Sequence, residues 1–495
     1  MSIPIAKLHI CKIVLTYLKN KYTIRIPIDK EKETAMTATN TSLSKQHSVA
    51  LFGCGPHAKR IYIGYMVRQA IEPALIVDIE PCRDEILAIV KKNGWTNTQC
   101  YFVAPKDPYH AYTEEEKQAM QRLVKELGVT KAIVSTPPEV HIPYAQLCLE
   151  VGLKVLLDKP LSAPQGLSVG NARQIVADLE SLLPYDTGDN IIVQCQRRRH
   201  LGYQYVKQLV ADIEKKYGIQ PHFIDIYHSD GRWDFPDEIV ALRNHPYSYG
   251  YGKLLHSGYH FVDLACYLTD EFDYTDYRVF SYANSVHDFR AQLPDRFYKE
   301  TFGLENASTF PESGYGEIDS YSLIRFERDK RAIITVALNL LHTGFSRRSW
   351  AQAKADLYKG NGRLRHERVN IQIGPLMNIQ VHSYQSTEVH DEHQPCPTSE
   401  GGLEHFDIHI YRNTGIIGGK PFEVIKLSDL EKHAKDMNDV GQNEYARHQL
   451  IDDFLADKPS HSNIRSHIRT NIILAAIAQS MYERQEVTGV LYDDL

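Results

Sequence analysis

Ser48-Val49-Ala50-Leu51-Phe52-Gly53-Cys54-Gly55-Pro56-His57-Ala58 is the stretch whose reading decides the fold. Val49 to Phe52 is an apolar run long enough for one buried strand. The residues after it match the G-x-G-x-x-G/A turn that feeds such a strand into a helix. Gly53 permits the tight turn, Gly55 lets a pyrophosphate approach the backbone, and Ala58 lets the helix pack close to the strand. The helix start then presents unpaired N–H groups and a partial positive charge to phosphates. Asp78, twenty positions beyond Ala58, ends a second apolar run, Ala74-Leu75-Ile76-Val77, where a carboxylate meets the ribose 2′-hydroxyl of NAD. A glycine pattern alone is equally a ligand-free turn. Strand, turn, helix and acidic residue together point to a dinucleotide.

Outward from this stretch, residues 48–196 alternate apolar runs with helical segments, the pattern of a parallel sheet covered by helices on both faces. Strands are expected at 48–52, 74–78, 100–103, 131–135, 153–157 and 190–195, and helices near 57–70, 81–93, 114–127, 141–151 and 167–182. The carboxyl ends of such strands open into one crevice. Two of these ends carry chemistry. One is Ser135-Thr136-Pro137-Pro138, with His141 opening the next helix; the other is Asp158-Lys159-Pro160. Lysines generally end in solvent, but one at the carboxyl end of a buried strand is placed in the crevice. Cofactor contacts are therefore expected at Gly53, Gly55, Pro56, His57, Ala58, Asp78, Ser135, Thr136, Pro137, His141, Asp158, Lys159 and Gln194.

Beyond 217 the pattern becomes β-rich, with strands expected at 222–229, 277–284, 318–327, 330–340, 353–358, 368–374 and 378–384. Residues 285–316 and 386–404 read as loops, and 441–456 and 462–484 as closing amphipathic helices. The architecture expected is α/β: a flexible extension over 1–47, a Rossmann domain over 48–196, and an α+β domain over 197–495 with an open, mostly antiparallel sheet. Within the second domain, Gly250 to Leu268 opens with glycines and becomes helical. On a 3.6-residue period Lys253, His256, His260, Asp263 and Tyr267 share one stripe of an otherwise apolar helix, which must face a cavity or a hydrogen-bond network.

Gly-Cys-Gly-Pro-His-Ala at 53–58, Ser-Thr-Pro-Pro-x-x-His at 135–141 and Gly-Leu-Lys-Val-Leu-Leu-Asp-Lys-Pro-Leu-Ser at 152–162 together resemble the Gfo/Idh/MocA oxidoreductases. The 250–263 helix is similar to that family's G-G-x-x-x-D-x-G-x-H-x-x-D segment. The resemblance implies that Lys159 lies at the nicotinamide and hydrogen-bonds the reacting hydroxyl, that His260 is the catalytic histidine, and that Asp263 orients it. It also implies a homodimer or homotetramer formed through the C-terminal sheet. Two departures stand out. Asp158 replaces the usual glutamate before the lysine, and His256 stands where many sugar and polyol dehydrogenases of the family carry aspartate. Substrate contacts are expected at His256, Arg232 and Trp233, and further ones at Arg243 and along 247–251; the three arginines 197–199 read as ties between domains.

Composition agrees with this class. A net charge of −6 gives no electrostatic reason for nucleic acid or an anionic membrane, and no run of about 18 apolar residues is present. The eight cysteines are scattered, with no C-x-x-C, as in a reduced cytoplasmic protein. No metal is expected: His256 and His260 lack the glutamate of H-E-x-x-H, and His382, His390, His393, His405 and His409 lie in polar sequence. Asp78 favours NAD, while Arg83 nearby leaves NADP open. The expected activity is hydride transfer between nicotinamide and a hydroxyl carbon of a sugar, polyol or similar small molecule. An enzyme that cleaves glycosides by transient oxidation is one alternative, and it would yield no net NADH. A non-catalytic NAD-binding regulator is another, against which the intact Lys159 and His260 argue.

Overall fold

The computed structural model describes residues 49–107, 109–167, 170–241, 250–305, 315–349, 351, 362–386, 405–430 and 441–491. The chain divides into two units, Met1–His47 and Ser48–Leu495. The first unit, the expected strand at 353–358, all but Ser386 of the expected loop at 386–404, Arg243, and 247–249 of the expected contacts along 247–251 lie outside the described residues.

The first sheet has six parallel strands: β1 (Val49–Phe52), β2 (Leu75–Ile79), β3 (Gln99–Val103), β4 (Lys131–Val134), β5 (Lys154–Leu157) and β6 (Ile191–Val193). Their order is β3-β2-β1-β4-β5-β6, so the topology reverses between β1 and β4, where a doubly wound sheet binds its ligand. The alternating pleat sends Ala50 and Phe52 to one face and Val49 and Leu51 to the other, and both faces are buried. On the Val49 face Leu450, Ile451 and Phe454 of the helix Gln442–Leu455 pack back against the sheet. Thus a segment far along the chain covers one face of the first sheet. Thr113 caps the helix Glu114–Glu126 through a reciprocal box with Glu116.

The second sheet has nine strands: β7 (Phe223–Arg232), β8 (Asp276–Asn284), β9 (Asp319–Arg328), β10 (Arg331–Thr343), β11 (Leu364–Ile373), β12 (Met377–Ser386), β13 (His405–Arg412), β14 (Phe422–Lys426) and β15 (Val487–Val490). Its order is β14-β13-β12-β11-β7-β10-β9-β8-β15; β7 and β10 run parallel and every other pairing is antiparallel. Period-2 alternation buries Ile334, Val336, Leu338 and Leu340 of β10 on one face, where they join the same core as the helices Tyr259–Thr269 and Ile468–Glu483. Truncating one of these aliphatics to alanine removes ~2–5 kcal/mol. No helix among the described residues is long and apolar enough to cross a membrane.

Several local expectations are corrected. The helix after the glycine turn is α over Pro56–Ala58, π over Lys59–Ile63 and α again over Gly64–Arg68. The widened turn puts Ile61, Tyr62 and Ile63 into the core in succession. The helix expected over 167–182 is confined to Gln174–Glu180, because Gly166 and Gly170 hold positive φ before it. Within 285–316, expected as a loop, residues 285–305 carry the helices Val286–Gln292 and Asp295–Phe302, and 306–314 lie outside the described residues. A Ser285–Asp288 box starts the first, and Phe289 and Tyr298 anchor the pair. Strands β13, β14 and β15 were not expected: histidines interrupt the apolar alternation of β13, and the other two are edge strands with little burial.

Candidate active site

At the switch point of the parallel sheet, Gly53 adopts φ +87°, and a Cβ there would lie 2.6 Å from the Ser135 carbonyl. Only glycine satisfies both constraints. Gly55 differs: its backbone is extended, and a Cβ would meet nothing within 4 Å. The turn is therefore filled behind Gly53 and open in front of Gly55, the shape a pyrophosphate needs. Asp78, at the end of β2, accepts from the Cys54 amide at 2.6 Å and the Ile79 amide at 2.7 Å, which holds its carboxylate beside the turn where a ribose diol would reach it. These residues fit a dinucleotide. Arg83, which left NADP open, pairs with Glu80 at 2.5 Å.

Five of the expected residues, Asp158, Ser135, His57, His141 and Thr136, build the floor on which Lys159 stands. Asp158 is buried and accepts hydrogen bonds from Tyr62 and Ser135, with the His57 ring 3.7 Å away. His141 bridges the carbonyls of Thr136 at 2.7 Å and Pro160 at 2.8 Å, so it clamps the two loops that follow β4 and β5. Lys159 then projects from the end of β5, and its Nζ donates to the His256 carbonyl on the second domain's helix. Burial, and after it the Arg447 guanidinium, push this lysine down to about 8, against the pull of Asp158.

One turn beyond His256 the π-helix Leu254–Gly258 passes into the helix Tyr259–Thr269, which carries His260 and Asp263. Both are buried. Asp263 reaches His260 through a third residue. Cys195 Sγ lies 3.4 Å from His260 Nδ1 and 3.0 Å from Asp263 Oδ2. Burial would raise the Asp263 carboxyl, but Arg198, bound to both its oxygens at 2.7–3.1 Å, and His467, 3.0 Å away, together outweigh burial and hold it ionised. An ionised carboxylate only accepts, so the Cys195 thiol, kept protonated by burial and by Asp263, gives its hydrogen to Asp263. The sulfur then accepts from Nδ1–H of His260. That tautomer leaves Nε2 without a proton, and among the described residues it has no protein partner. Burial first, and Lys159 next, depress the His260 pKa well below the usual value. The ring is a neutral base beside a cation.

The stripe read along this helix divides in the structure. Lys253 turns to β7, bonding Asp230 at 2.5 Å and His228 at 3.1 Å, while Tyr267 packs near Lys207 and Arg198. Gln194, at the end of β6, donates to the Arg447 carbonyl at 3.5 Å. Arg232 pairs with Asp234 at 2.8 Å, and Trp233 packs among Phe235, Phe297, Tyr298 and Phe302. The three arginines tie elements together: Arg197 to Glu367 at 2.6 Å, Arg198 to Asp263, and Arg199 to Asp453 at 2.7 Å. Cys195 and Arg447, which contact or act on the expected site residues, were not anticipated. Only Cys195 left a signal, as a thiol just past the end of a buried strand that opens into the crevice.

The sequence matches no family model and no curated protein. Among solved structures the chain is similar to an aldose–aldose oxidoreductase from Caulobacter crescentus complexed with glycerol, at 16% identity and TM-score 0.53 over 89% of this chain and 98% of that one. It is also similar to the WlbA dehydrogenase from Bordetella pertussis in complex with NADH and UDP-GlcNAcA, at 13% identity and TM-score 0.53 over 90% and 98%. A third is an oxidoreductase from Agrobacterium radiobacter in complex with NAD+, L-tartaric acid and magnesium, at 12% identity and TM-score 0.51 over 89% and 98%. At such identities the likeness is one of fold: the chain has the two-domain architecture of Gfo/Idh/MocA-type oxidoreductases.

Proposed function

We propose that this chain is an NAD(P)-dependent oxidoreductase that moves hydride between nicotinamide and the hydroxyl-bearing carbon of a sugar, polyol or similar small molecule. The observation that carries the reading is the meeting of Lys159 and the unprotonated His260 Nε2 at the open ends of the parallel strands. A nicotinamide bound there supplies the hydride acceptor. His260 Nε2 takes the hydroxyl proton, and its depressed pKa keeps it free to do so at neutral pH. Lys159, cationic below about 8, stabilises the negative charge that develops on the substrate oxygen. Asp263, acting through Cys195, holds the ring in the tautomer that leaves Nε2 bare. His256 and Arg232 are assigned to the substrate side, and Trp233 to the aromatic wall behind them.

The reading also takes 48–196 as the cofactor domain and 197–495 as the substrate domain, in a cytoplasmic homodimer or homotetramer. Exposed Phe280, Tyr282 and Leu323 on the second sheet support the oligomer. The test is to follow absorbance near 340 nm with NAD and a panel of sugars, then with Lys159→Ala and His260→Ala. A loss of at least about a hundredfold in kcat/KM is expected from each variant. Near-normal hydride transfer by either one removes its assigned role.

A further inference from the structure

We propose that the substrate carries an anionic group, a carboxylate or a phosphate, and that Arg365 holds it by a bidentate contact. This rests on the hydride-transfer reading above and names the substrate class of the same crevice.

Side chains alternate along β11. Val369, Ile371 and Ile373 are fully buried, so positions 363, 365 and 367 share the inward face with them. Arg363 and Glu367 on that face are both matched. Arg363 donates to the Asp230 carbonyl at 2.8 Å and its carboxylate at 2.9 Å, and Glu367 accepts from Arg197 at 2.6 Å. Arg365, partly buried between them, has no hydrogen bond or ion pair among the described residues.

Nearby acids do not make up the difference. Asp230 has one oxygen on Arg363 and the other on Lys253 and Ser257, at 2.5 and 3.0 Å. Glu444 is shared between Arg447 at 2.9 Å and Arg60 at 3.5 Å. Arg363, burial, Arg447 and Arg60 all disfavour the charge on Arg365, and Arg447 also acts on Lys159 and His260. Asp230, which Arg363 binds, also accepts from Ser257, and the carbonyl of the adjacent His256 holds Lys159, so this end of β11 adjoins the reacting groups. A guanidinium crowded by other cations without a counter-charge is destabilising, and its planar fork matches carboxylate or phosphate geometry. The cofactor's own phosphates belong at the glycine turn of the other sheet, so the anion assigned to Arg365 is the substrate's.

The test compares three probes with the full-length protein and NAD: glucose, glucuronate and glucose 6-phosphate. Wild-type protein should prefer one anionic probe, and Arg365→Gln should raise its KM by about tenfold to a hundredfold with a smaller change in kcat. Arg365→Lys should recover part of the loss, and the thermal transition of each variant reports its folding. The carboxylate and phosphate arms separate the two sources of charge. Equal kcat/KM for glucose and both anions, or an unchanged KM in folded Arg365→Gln, overturns the proposal. Should no probe support hydride transfer, thermal stabilisation by glucuronate or glucose 6-phosphate still reads the site directly. Stabilisation that Arg365→Gln abolishes supports the anion site while the hydride-transfer reading fails; no stabilisation by either overturns the anion site too.

Discussion

Gly53→Ala and Gly55→Ala change the same atoms two residues apart and should do opposite things. At Gly53 the added methyl group must adopt φ +87°, which costs ~1–2 kcal/mol for an L-residue. It also lies 2.6 Å from the Ser135 carbonyl oxygen and from the Thr136 amide nitrogen. Both are backbone atoms and cannot swing aside, so the loop after β4 must shift, at a further ~1–3 kcal/mol. At Gly55 the backbone is extended, with φ −69° and ψ −177°, and the methyl group meets nothing within 4 Å. Stability should therefore stay within about 0.5 kcal/mol. The methyl group instead fills the space through which a phosphate reaches the backbone. Loss of one charge-assisted hydrogen bond, ~1.5–3 kcal/mol, weakens NAD binding by about 10- to 150-fold. Thermal unfolding without ligand measures the first effect, and titration calorimetry with NAD measures the second. Unchanged NAD affinity in Gly55→Ala, or a drop in its melting temperature equal to that of Gly53→Ala, refutes the account of the turn.

Further outcomes follow from the buried network. Asp263→Asn leaves Arg198 buried without its counter-charge and should cost ~3–5 kcal/mol, read as a lower midpoint in denaturant unfolding; an unchanged midpoint would show that the pair is not what holds the helix. Cys195→Ser keeps a donor toward Asp263 and an acceptor toward His260, whereas Cys195→Ala has neither. Hydride-transfer rates should thus be retained better by serine than by alanine, and equal rates would deny the relay. The pH profile follows from two depressed pKa values. The His260 pKa is held well below its ordinary value of about 6.5, by burial first and then by Lys159, so no acid limb centred there should appear. Lys159 loses its proton as pH rises through about 8, so kcat/KM should fall there, and a rising limb would contradict its role.

Much of the scaffold was readable along the chain because it depends on near neighbours. Four consecutive apolar residues, 49–52, followed by two glycines specify a buried strand and a tight turn, and both stand where expected. Lys159 was found because a lysine at the end of such a strand has only the crevice to enter. Short polar helices such as Asp295–Phe302 escaped because one buried tyrosine gives too little periodicity, although the Ser285–Asp288 box was there to be read. The site's internal wiring was out of reach of any local pattern. Cys195 meets His260 across 65 positions, Arg197 meets Glu367 across 170, and Thr470 meets Asp263 across 207. No periodicity reports which distant side chain returns to which.

The doubly wound sheet, the glycine turn after its first strand and the helix bearing His256, His260 and Asp263 were all legible along the chain. Only the tertiary structure shows that a thiol joins His260 to Asp263, that Lys253 serves β7, and that Arg365 has no ion pair among the described residues. The reason is physical: turn and strand propensities are set within a few residues, whereas charge pairing is set by what the fold brings within 3–4 Å.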